Sequence, residues 1–307
     1  MARKVYKVAI IGAGPAGIAA AIYLKRAGIN PLLLERKKVG GLLVNANLVE
    51  NYPGFPDGIS GGDLVSLFNA QLKKWKIQVT KADVKRVTRE RGLFQIFAGG
   101  SKYSSKFLIL ATGTQPTRIA LRGLDKISKG KVLCEIADAP DDVKGKEFLV
   151  IGGGDAAFDY ALNVARRGGS ADLIIRGSGP TCIPLLLRRA RKRISIRMSL
   201  RTVPVSVVET RRQIELTCRR GGREEIHDGD YLLIACGREA DLRLLSPKLR
   251  SEVATGMDGR GPSKMHLAGD VKRGLHRQVG IAVGDGIAAA MQIARLLGKE
   301  AWDEDNR

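Results

Sequence analysis

Four cysteines are spread over 307 residues, Cys134, Cys182, Cys218 and Cys236, and no two of them form a Cys-x-x-Cys. Neither a zinc site nor a dithiol redox motif is therefore written locally, and a cytoplasmic location is the default expectation. Histidine is scarce as well, limited to His227, His266 and His276. None stands at metal-ligand spacing, so no metal is expected. No apolar run approaches the ~18 residues that a membrane span needs. The N-terminal MARKVYK followed by VAIIGAGPAGIAAAIYL imitates a signal peptide, but glycines and a proline interrupt its apolar part.

Acidic residues are also in deficit. Lys and Arg number 52 against 31 Asp and Glu, a net charge of +21. The excess is uneven: the segment 176–223 holds 13 Lys and Arg against 2 Glu. Such a field draws polyanions or acidic protein partners, or is simply a solvated basic face. The same segment contains no Phe, Tyr or Trp. Base stacking has no platform there, so nucleic acid is not a favoured partner.

With 44% hydrophobic and 27% charged residues, the chain reads as globular and long enough for two domains. A repeat supports two. VAIIGAGPAGIAAAIYLKRAGINPLLLER at 8–36 and FLVIGGGDAAFDYALNVARRGGSADLIIR at 148–176 align without a gap at an offset of 140 residues. Each has an apolar run of strand length, a glycine turn, an Ala-rich helical stretch and a second apolar run. This is a βαβ unit written twice. In the first copy Gly12 permits the tight turn, Gly14 lets a pyrophosphate approach the backbone, and Gly17 lets the helix pack on the strand. The helix N-terminus, at Pro15 and Ala16, supplies N–H groups and a positive dipole end for phosphate. The second copy has Gly152, Gly154 and Ala157 at these places, with Asp155 and Ala156 opening its helix.

The copies differ at the end of their second strands. Glu35 stands 23 residues after Gly12, where a carboxylate binds ribose hydroxyls. Its counterpart is Ile175, and Arg36 is matched by Arg176. An arginine without a carboxylate favours NADP over NAD at the second site.

With these motifs the sequence resembles the low-molecular-weight thioredoxin reductases and their relatives, over nearly the whole chain. IGAGPAG (11–17) resembles the FAD turn and IGGGDAA (151–157) the NADPH turn. VENYPGFPDGISGGDL (49–64) is similar to a segment that wraps the flavin. LILATGTQP (108–116) and YLLIACGRE (231–239) resemble the two crossovers between domains. HLAGDVKRGLHRQVGIAVGDGIAAA (266–290) is the most specific match. The resemblance implies an α/β fold of two Rossmann-like dinucleotide-binding domains, the second inserted in the first. An FAD domain would comprise 1–112 and 245–307, and an NAD(P) domain 113–244, with hinges near Gly113 and Leu244. It also implies that Gly269 and Asp270 hold the FAD ribityl chain and that Arg277 and Gln278 sit at the isoalloxazine. Further FAD contacts carry over to Arg36, Gly41, Leu42, Asn51, Val84, Ala111, Thr112, Gly113 and Val279. His276, just before Arg277, would lie near the flavin and could move a proton. The family is commonly dimeric, which implies a homodimer.

Two departures matter. The family's redox pair is a CxxC followed by Asp, and here the segment is CEIAD, Cys134 to Asp138. With the aspartates aligned, Cys134 and Ala137 take the cysteine positions. Counting back from the glycine turn, Glu135 and Asp138 do. Neither register gives a pair, and a two-electron disulfide relay needs both sulfurs. The second departure is the phosphate clamp HRRxxxR, matched here by IRGSGPT at 175–181, in which only Arg176 survives. NADP, NAD or neither could then bind. The implied function is an FAD-dependent oxidoreductase, not an ordinary thioredoxin reductase. It would exchange electrons between NAD(P)H and a carrier such as ferredoxin, whose acidic surface the basic segment could dock. Alternatives are a single-cysteine disulfide or peroxide reductase using Cys134, a protein served by a partner's cysteines, or a non-catalytic flavoprotein. Cys236, in an apolar run, is expected in the core.

Overall fold

The computed structural model describes residues 4–256 and 264–305. The chain opens with β1 (Val5–Ile11), α1 (Pro15–Arg26), β2 (Leu32–Glu35) and α2 (Gly61–Lys74). Four strands follow: β3 (Val79–Lys81), β4 (Val84–Glu90), β5 (Leu93–Ala98) and β6 (Ser101–Leu110). After β7 (Thr114–Pro116) and β8 (Val132–Leu133) comes the second βαβ unit, β9 (Glu147–Ile151), α3 (Asp155–Arg166) and β10 (Ser170–Ile175). Then come α4 (Pro184–Arg191), β11 (Ile196–Leu200), β12 (Val203–Glu209), β13 (Ile214–Arg220), β14 (Arg223–Gly229) and β15 (Tyr231–Ile234). The chain closes with β16 (Arg238–Ala240), α5 (Pro247–Gly256), β17 (Met265–Leu267), α6 (Asp270–Arg273) and α7 (Val279–Asp305).

Two compact units result. The first comprises Met1–Val44, Leu48–Gln115 and Glu239–Arg307, the second Asn45–Asn47 and Pro116–Arg238. The chain thus passes between them at 115/116 and 238/239, and the crossing strands β7 and β16 pair with each other. Residues 239–244, expected in the inserted domain, fold with the first unit instead. Val87 N donates to Leu244 O, and Leu242 and Leu244 pack on the first unit's core.

In the first unit the sheet order is β3-β2-β1-β6-β5-β4, with β17 also pairing β6. The strands from β3 to β6 and β17 run parallel; β4, β5 and β6 pair antiparallel. Sequence explains the antiparallel part. The β4–β5 and β5–β6 loops are two residues each, Arg91–Gly92 and Gly99–Gly100, all at positive φ. That is the backbone whose twist suits tight hairpins. Gly221–Gly222 repeats the device between β13 and β14.

The second unit has a parallel sheet ordered β11-β10-β9-β15-β8 and an antiparallel sheet β12-β13-β14. Strand residues alternate between two cores. Phe148, Val150, Leu173, Ile175 and Leu233 face the cluster that includes Ala157, Phe158 and Ala161 of α3. Leu149, Ile151, Ile174, Leu232 and Ile234 face Val207, Ile214, Leu216 and Cys218 of the antiparallel sheet. Both faces are buried, as continuous apolar strands require.

A polar cluster fastens the two sheets. Asp172, 5% exposed on β10, accepts from Arg197 Nη2 (2.8 Å) and Ser199 Oγ (2.9 Å) of β11. His227 Nδ1 of β14 lies 2.7 Å from Asp172 Oδ2, and its Nε2 lies 3.1 Å from Glu225 Oε1. Burial pushes the Asp172 pKa up, but the hydrogen bonds from Arg197, His227 and Ser199 outweigh it and hold the carboxyl below its ordinary value.

One expectation about membranes needs correcting. Within α7 the stretch Val279–Gly298, mean hydropathy 1.3, is long and apolar enough to cross a membrane by length and composition, and 33% of it is buried. Its scattered glycines and alanines hide it from a search for an unbroken apolar run. The glycines serve close packing: a Cβ at Gly286 would lie 2.0 Å from Ala16 O of α1.

Replacing Asp172 by Asn is expected to cost about 2 kcal/mol at neutral pH by removing charge-assisted hydrogen bonds. Because the folded pKa is lowered, this stabilisation exists above the unfolded carboxyl's pKa of about 4 and is lost as pH falls through the folded value. Urea melts of both proteins at pH 7 and pH 3.5 check it, with the gap narrowing at the lower pH.

Candidate functional site

The first candidate site is built around the turn that leaves β1. Gly12 has φ +104, and a Cβ there would lie 2.2 Å from Ala111 O. A Cβ on Gly17 would lie 1.9 Å from Gly12 O, so helix and turn touch backbone to backbone. Gly14 is the extended N-cap of α1, with no capping side chain, Pro15 in the first turn and no acidic residue there. The first turn therefore offers N–H groups and a positive dipole end to an anion.

Distant segments converge on this turn. Gly41, at φ +56, faces it: a Cβ there would lie 3.1 Å from Gly14 Cα. Gly40 N donates to Ala13 O at 2.8 Å. A Cβ on Gly269 would meet Ala16 Cβ at 2.9 Å, which brings the Gly269–Asp270 pair to the start of α1. Glu35 closes the β2 side, its Oε2 accepting from Ala13 N (2.7 Å) and its Oε1 from Lys37 N (2.8 Å). Ala82 N donates to Glu35 O at 2.8 Å, which carries the nearby Val84 toward the same end of the sheet. Gln278, which precedes α7, accepts from Asn51 Nδ2 at 2.9 Å across 227 residues of sequence. Arg277, Gln278 and Val279 thus stand beside the 49–64 segment. His276 is exposed, and its N–H donates to Arg273 O.

Sequence reading missed two residues here. Asp241, 4% exposed, takes Arg243 Nε and Nη2 at 2.9 and 3.0 Å and Arg36 Nη1 at 3.5 Å. Its carbonyl accepts from Thr112 Oγ1 at 2.7 Å, and its N–H donates to Gly113 O. It therefore links three of the expected contacts, Arg36, Thr112 and Gly113. Burial raises its pKa, while the Arg243 hydrogen bonds and the Arg243 and Arg36 charges bring it below its ordinary value. Asp285 is the other, accepting from Gly269 N at 3.2 Å and pairing with Arg273. Asp241 lies outside every motif, and Asp285 falls within the 266–290 segment but is not among the contacts that the resemblance carried over.

The second turn copies the first. Gly152 has φ +150, and its Cβ would lie 2.5 Å from Ala235 O, the counterpart of Ala111. Gly154 is an extended, uncapped N-cap. Three features differ, the first being Asp155 in the opening turn of α3, where α1 has no acidic residue. Where Glu35 accepts from Ala13 N, Ile175 lies against Gly153, whose Cβ would be 3.0 Å from Ile175 Cγ2. The loop after β10 also folds over the turn: Thr181 N donates to Gly153 O (2.8 Å), and Asp155 Oδ1 accepts from Ile183 N (2.8 Å). Arg176 is exposed at the end of β10.

The cysteines form no reactive constellation. Cys134 is half-buried and packs on the core cluster of Leu149, Ile174 and Leu232, with Ala137 in a short helical turn after it. Glu135 next to it pairs with Arg238 at 3.1 Å. Cys236 is not a core residue as expected. β15 ends two residues earlier, and Cys236 is exposed, though its sulfur donates to Ile151 O at 3.3 Å. Burial of that thiol raises its pKa against the opposing charge of Arg176. Burial also raises the Cys182 thiol, and burial with the Glu225 and Asp172 charges pushes Cys218 up to about 12. Raised pKa values leave these three thiols poor nucleophiles. Among the described residues no His, Cys, Asp and Glu cluster could hold a metal.

Two glycine-turn βαβ units, each meeting a third strand's carbonyl, define a two-nucleotide oxidoreductase. The chain belongs to the pyridine nucleotide-disulphide oxidoreductase family, whose pattern matches residues 6–286. The thioredoxin reductase of Listeria monocytogenes is 30% identical, covering 92% of this chain and 91% of that one. The crystal structure of Lactococcus lactis thioredoxin reductase superposes with a TM-score of 0.83 at 26% identity, covering 96% of this chain and 99% of that one. The thioredoxin reductase of T. acidophilum gives a TM-score of 0.82 at 25% identity over 95% and 99% of the two chains. Thioredoxin reductases use FAD and NADPH. Both turns fit such dinucleotides, since each presents an uncapped helix N-terminus behind a glycine, Gly14 or Gly154, whose backbone nothing crowds.

Gly12→Ala is expected to cost about 3 kcal/mol through strain and overlap with Ala111 O. The variant should melt lower and purify without its yellow colour, as thermal denaturation and the visible spectrum would show.

Proposed function

We propose that this protein is an FAD-dependent oxidoreductase that exchanges electrons between NADPH and an external protein carrier, without a dithiol of its own. The observation that supports this reading is the segment 134–138. Its one cysteine packs on the core, neither register of the segment supplies a second sulfur, and Glu135 is engaged by Arg238.

The flavin accepts a hydride from the nicotinamide and can release electrons singly or in pairs. The chain's own residues bind, orient and exclude. In the first unit the Gly12–Gly17 turn and the start of α1 receive the FAD pyrophosphate, and Glu35 receives the adenosine ribose. Asp270 holds the ribityl hydroxyls. Arg277 and Gln278, the latter fixed by Asn51, position the ring, and exposed His276 stands where a proton can pass to solvent. In the second unit the Gly152–Ala157 turn receives the NADPH pyrophosphate, and Arg176 faces its 2′-phosphate.

The carrier is an acidic protein such as ferredoxin. Its dock is the basic surface of exposed Arg188, Arg191, Lys192 and Arg193 at the end of α4. Complementary charge steers such encounters and makes them salt-dependent. The assembly is a homodimer in the cytoplasm. An apolar pocket of about 150 Å³ lies between α1, α2 and α7, lined by Ile18, Ile22, Tyr52, Phe68, Val283 and Ile287. Leu67 and Met291, 48% and 50% exposed, extend the apolar surface on α2 and α7. A second copy covering this face accounts for the part of α7 that one chain leaves uncovered.

Anaerobic NADPH should bleach the ~450 nm flavin band, and reduced flavin should pass electrons to ferredoxin at a rate that falls with ionic strength. Cys134→Ser should bleach and turn over at the wild-type rate. A protein that NADPH leaves yellow, or a Cys134→Ser variant without turnover, contradicts the proposal. Light scattering should give twice the 33.2 kDa chain mass, and Met291→Glu should shift it toward the monomer.

A further inference from the structure

We propose that Arg201 supplies the second guanidinium of a clamp for the 2′-phosphate of NADPH, in place of the arginines missing from the loop after β10. The inference rests on the reading that the second unit binds NADP(H). It concerns a residue outside the 175–181 segment.

Strand register places Arg201 beside Arg176. β10 and β11 are parallel neighbours, with Ile175 opposite Leu200. The next residue after each strand is an arginine, Arg176 and Arg201, so both leave the same end of neighbouring strands. The chain turns at Arg201, and two bonds hold that turn to the end of β10: Thr202 N donates to Ile175 O (3.0 Å) and Arg201 N to Gly177 O (2.9 Å). Arg201 is therefore anchored to the loop that folds over the second glycine turn. Both arginines sit at the carboxyl edge of a parallel sheet, where ligands of such sheets bind.

Charge and backbone point the same way. Both side chains are exposed, and neither forms an ion pair among the described residues. Two adjacent guanidinium groups without a carboxylate repel each other until an anion comes between them. A phosphomonoester dianion matches the pair in charge and in its several acceptor oxygens. Arg201 also has φ +56, a left-handed conformation that glycine or asparagine adopts more cheaply. An arginine held there is the kind of local strain found at ligand clamps. The intervening loop, Gly177-Ser178-Gly179, offers only small side chains, which leaves room above the pair.

Calorimetric titration of the intact flavoprotein tests the assignment without turnover. The probes are NADP⁺ against NAD⁺, 2′,5′-ADP against 5′-AMP, and inorganic phosphate alone. The wild type should prefer NADP⁺ and 2′,5′-ADP. Arg201→Asn, which keeps a residue tolerant of positive φ, should reduce that preference by about tenfold or more, the effect of one charge-assisted hydrogen-bond pair. Arg201→Lys should recover part of it. Arg201→Gly provides the same reading if the Asn variant does not fold. A wild-type preference that survives in Arg201→Asn and Arg201→Gly overturns the role of Arg201 and leaves the NADP reading standing. A wild type that binds NADP⁺ and NAD⁺ alike overturns both. Inorganic phosphate binding as tightly as 2′,5′-ADP would show a general anion site and overturn the clamp.

Discussion

Gly12 and Gly152 occupy places where a Cβ would lie 2.2 Å from the Ala111 carbonyl oxygen and 2.5 Å from that of Ala235. Each contact joins the turn after a first strand to the end of the strand beside it, β6 in one unit and β15 in the other. A helix can start immediately above the sheet only because backbone meets backbone there. The uncapped N-terminus, the approach of Gly41 and Gly269, and the placement of Glu35 all depend on that height. Had the turn risen by one methyl group, the helix dipole would point past its anion rather than at it.

The duplicated framework was legible because its requirements are local. Turn, helix and flanking strands recur at an offset of 140 residues, and the structure reproduces it: α1 spans Pro15–Arg26 and α3 Asp155–Arg166. The contrast between Glu35 and Ile175 was legible for the same reason. What escaped is long-range. Asp241 reaches Arg36 across 205 residues, and Asp172 meets His227 across 55. Asp241 belongs to no motif, and Asp172 sits in the repeat where the first copy has Leu32. Cys236 escaped because an apolar run, LLIAC, does not reveal where its strand stops. The first unit's edge was misplaced because residues 239–244 resemble a continuing crossover, while Leu242 and Leu244 have their apolar partners in the first unit's core.

The loss of the dithiol and the loss of the clamp arginines differ in kind. Around Cys134 the local structure closes over the change, with apolar packing on one side and a Glu135–Arg238 pair on the other. At the end of β10 the surface stays open and positively charged. Exposed like charges cost stability through mutual repulsion. Here one site has been filled and the other has not.

Discontinuity of the first unit bears on how the chain is made. Its core cluster includes Ile11, Leu34 and Leu110, but also Leu245, Leu249, Met265 and Val271. β17 pairs with β6 through Met265 and Leu108. A ribosome adding 5–20 residues per second reaches β17 on the order of ten to thirty seconds after finishing β6. During that interval the second unit is already complete, while the Leu108–Leu110 end of β6 lacks a strand on the flank that β5 covers only at Ser101–Ser105. The inserted unit can therefore fold first, and the half that emerges earliest must wait longest, exposed to chaperones and to pairing with other nascent chains.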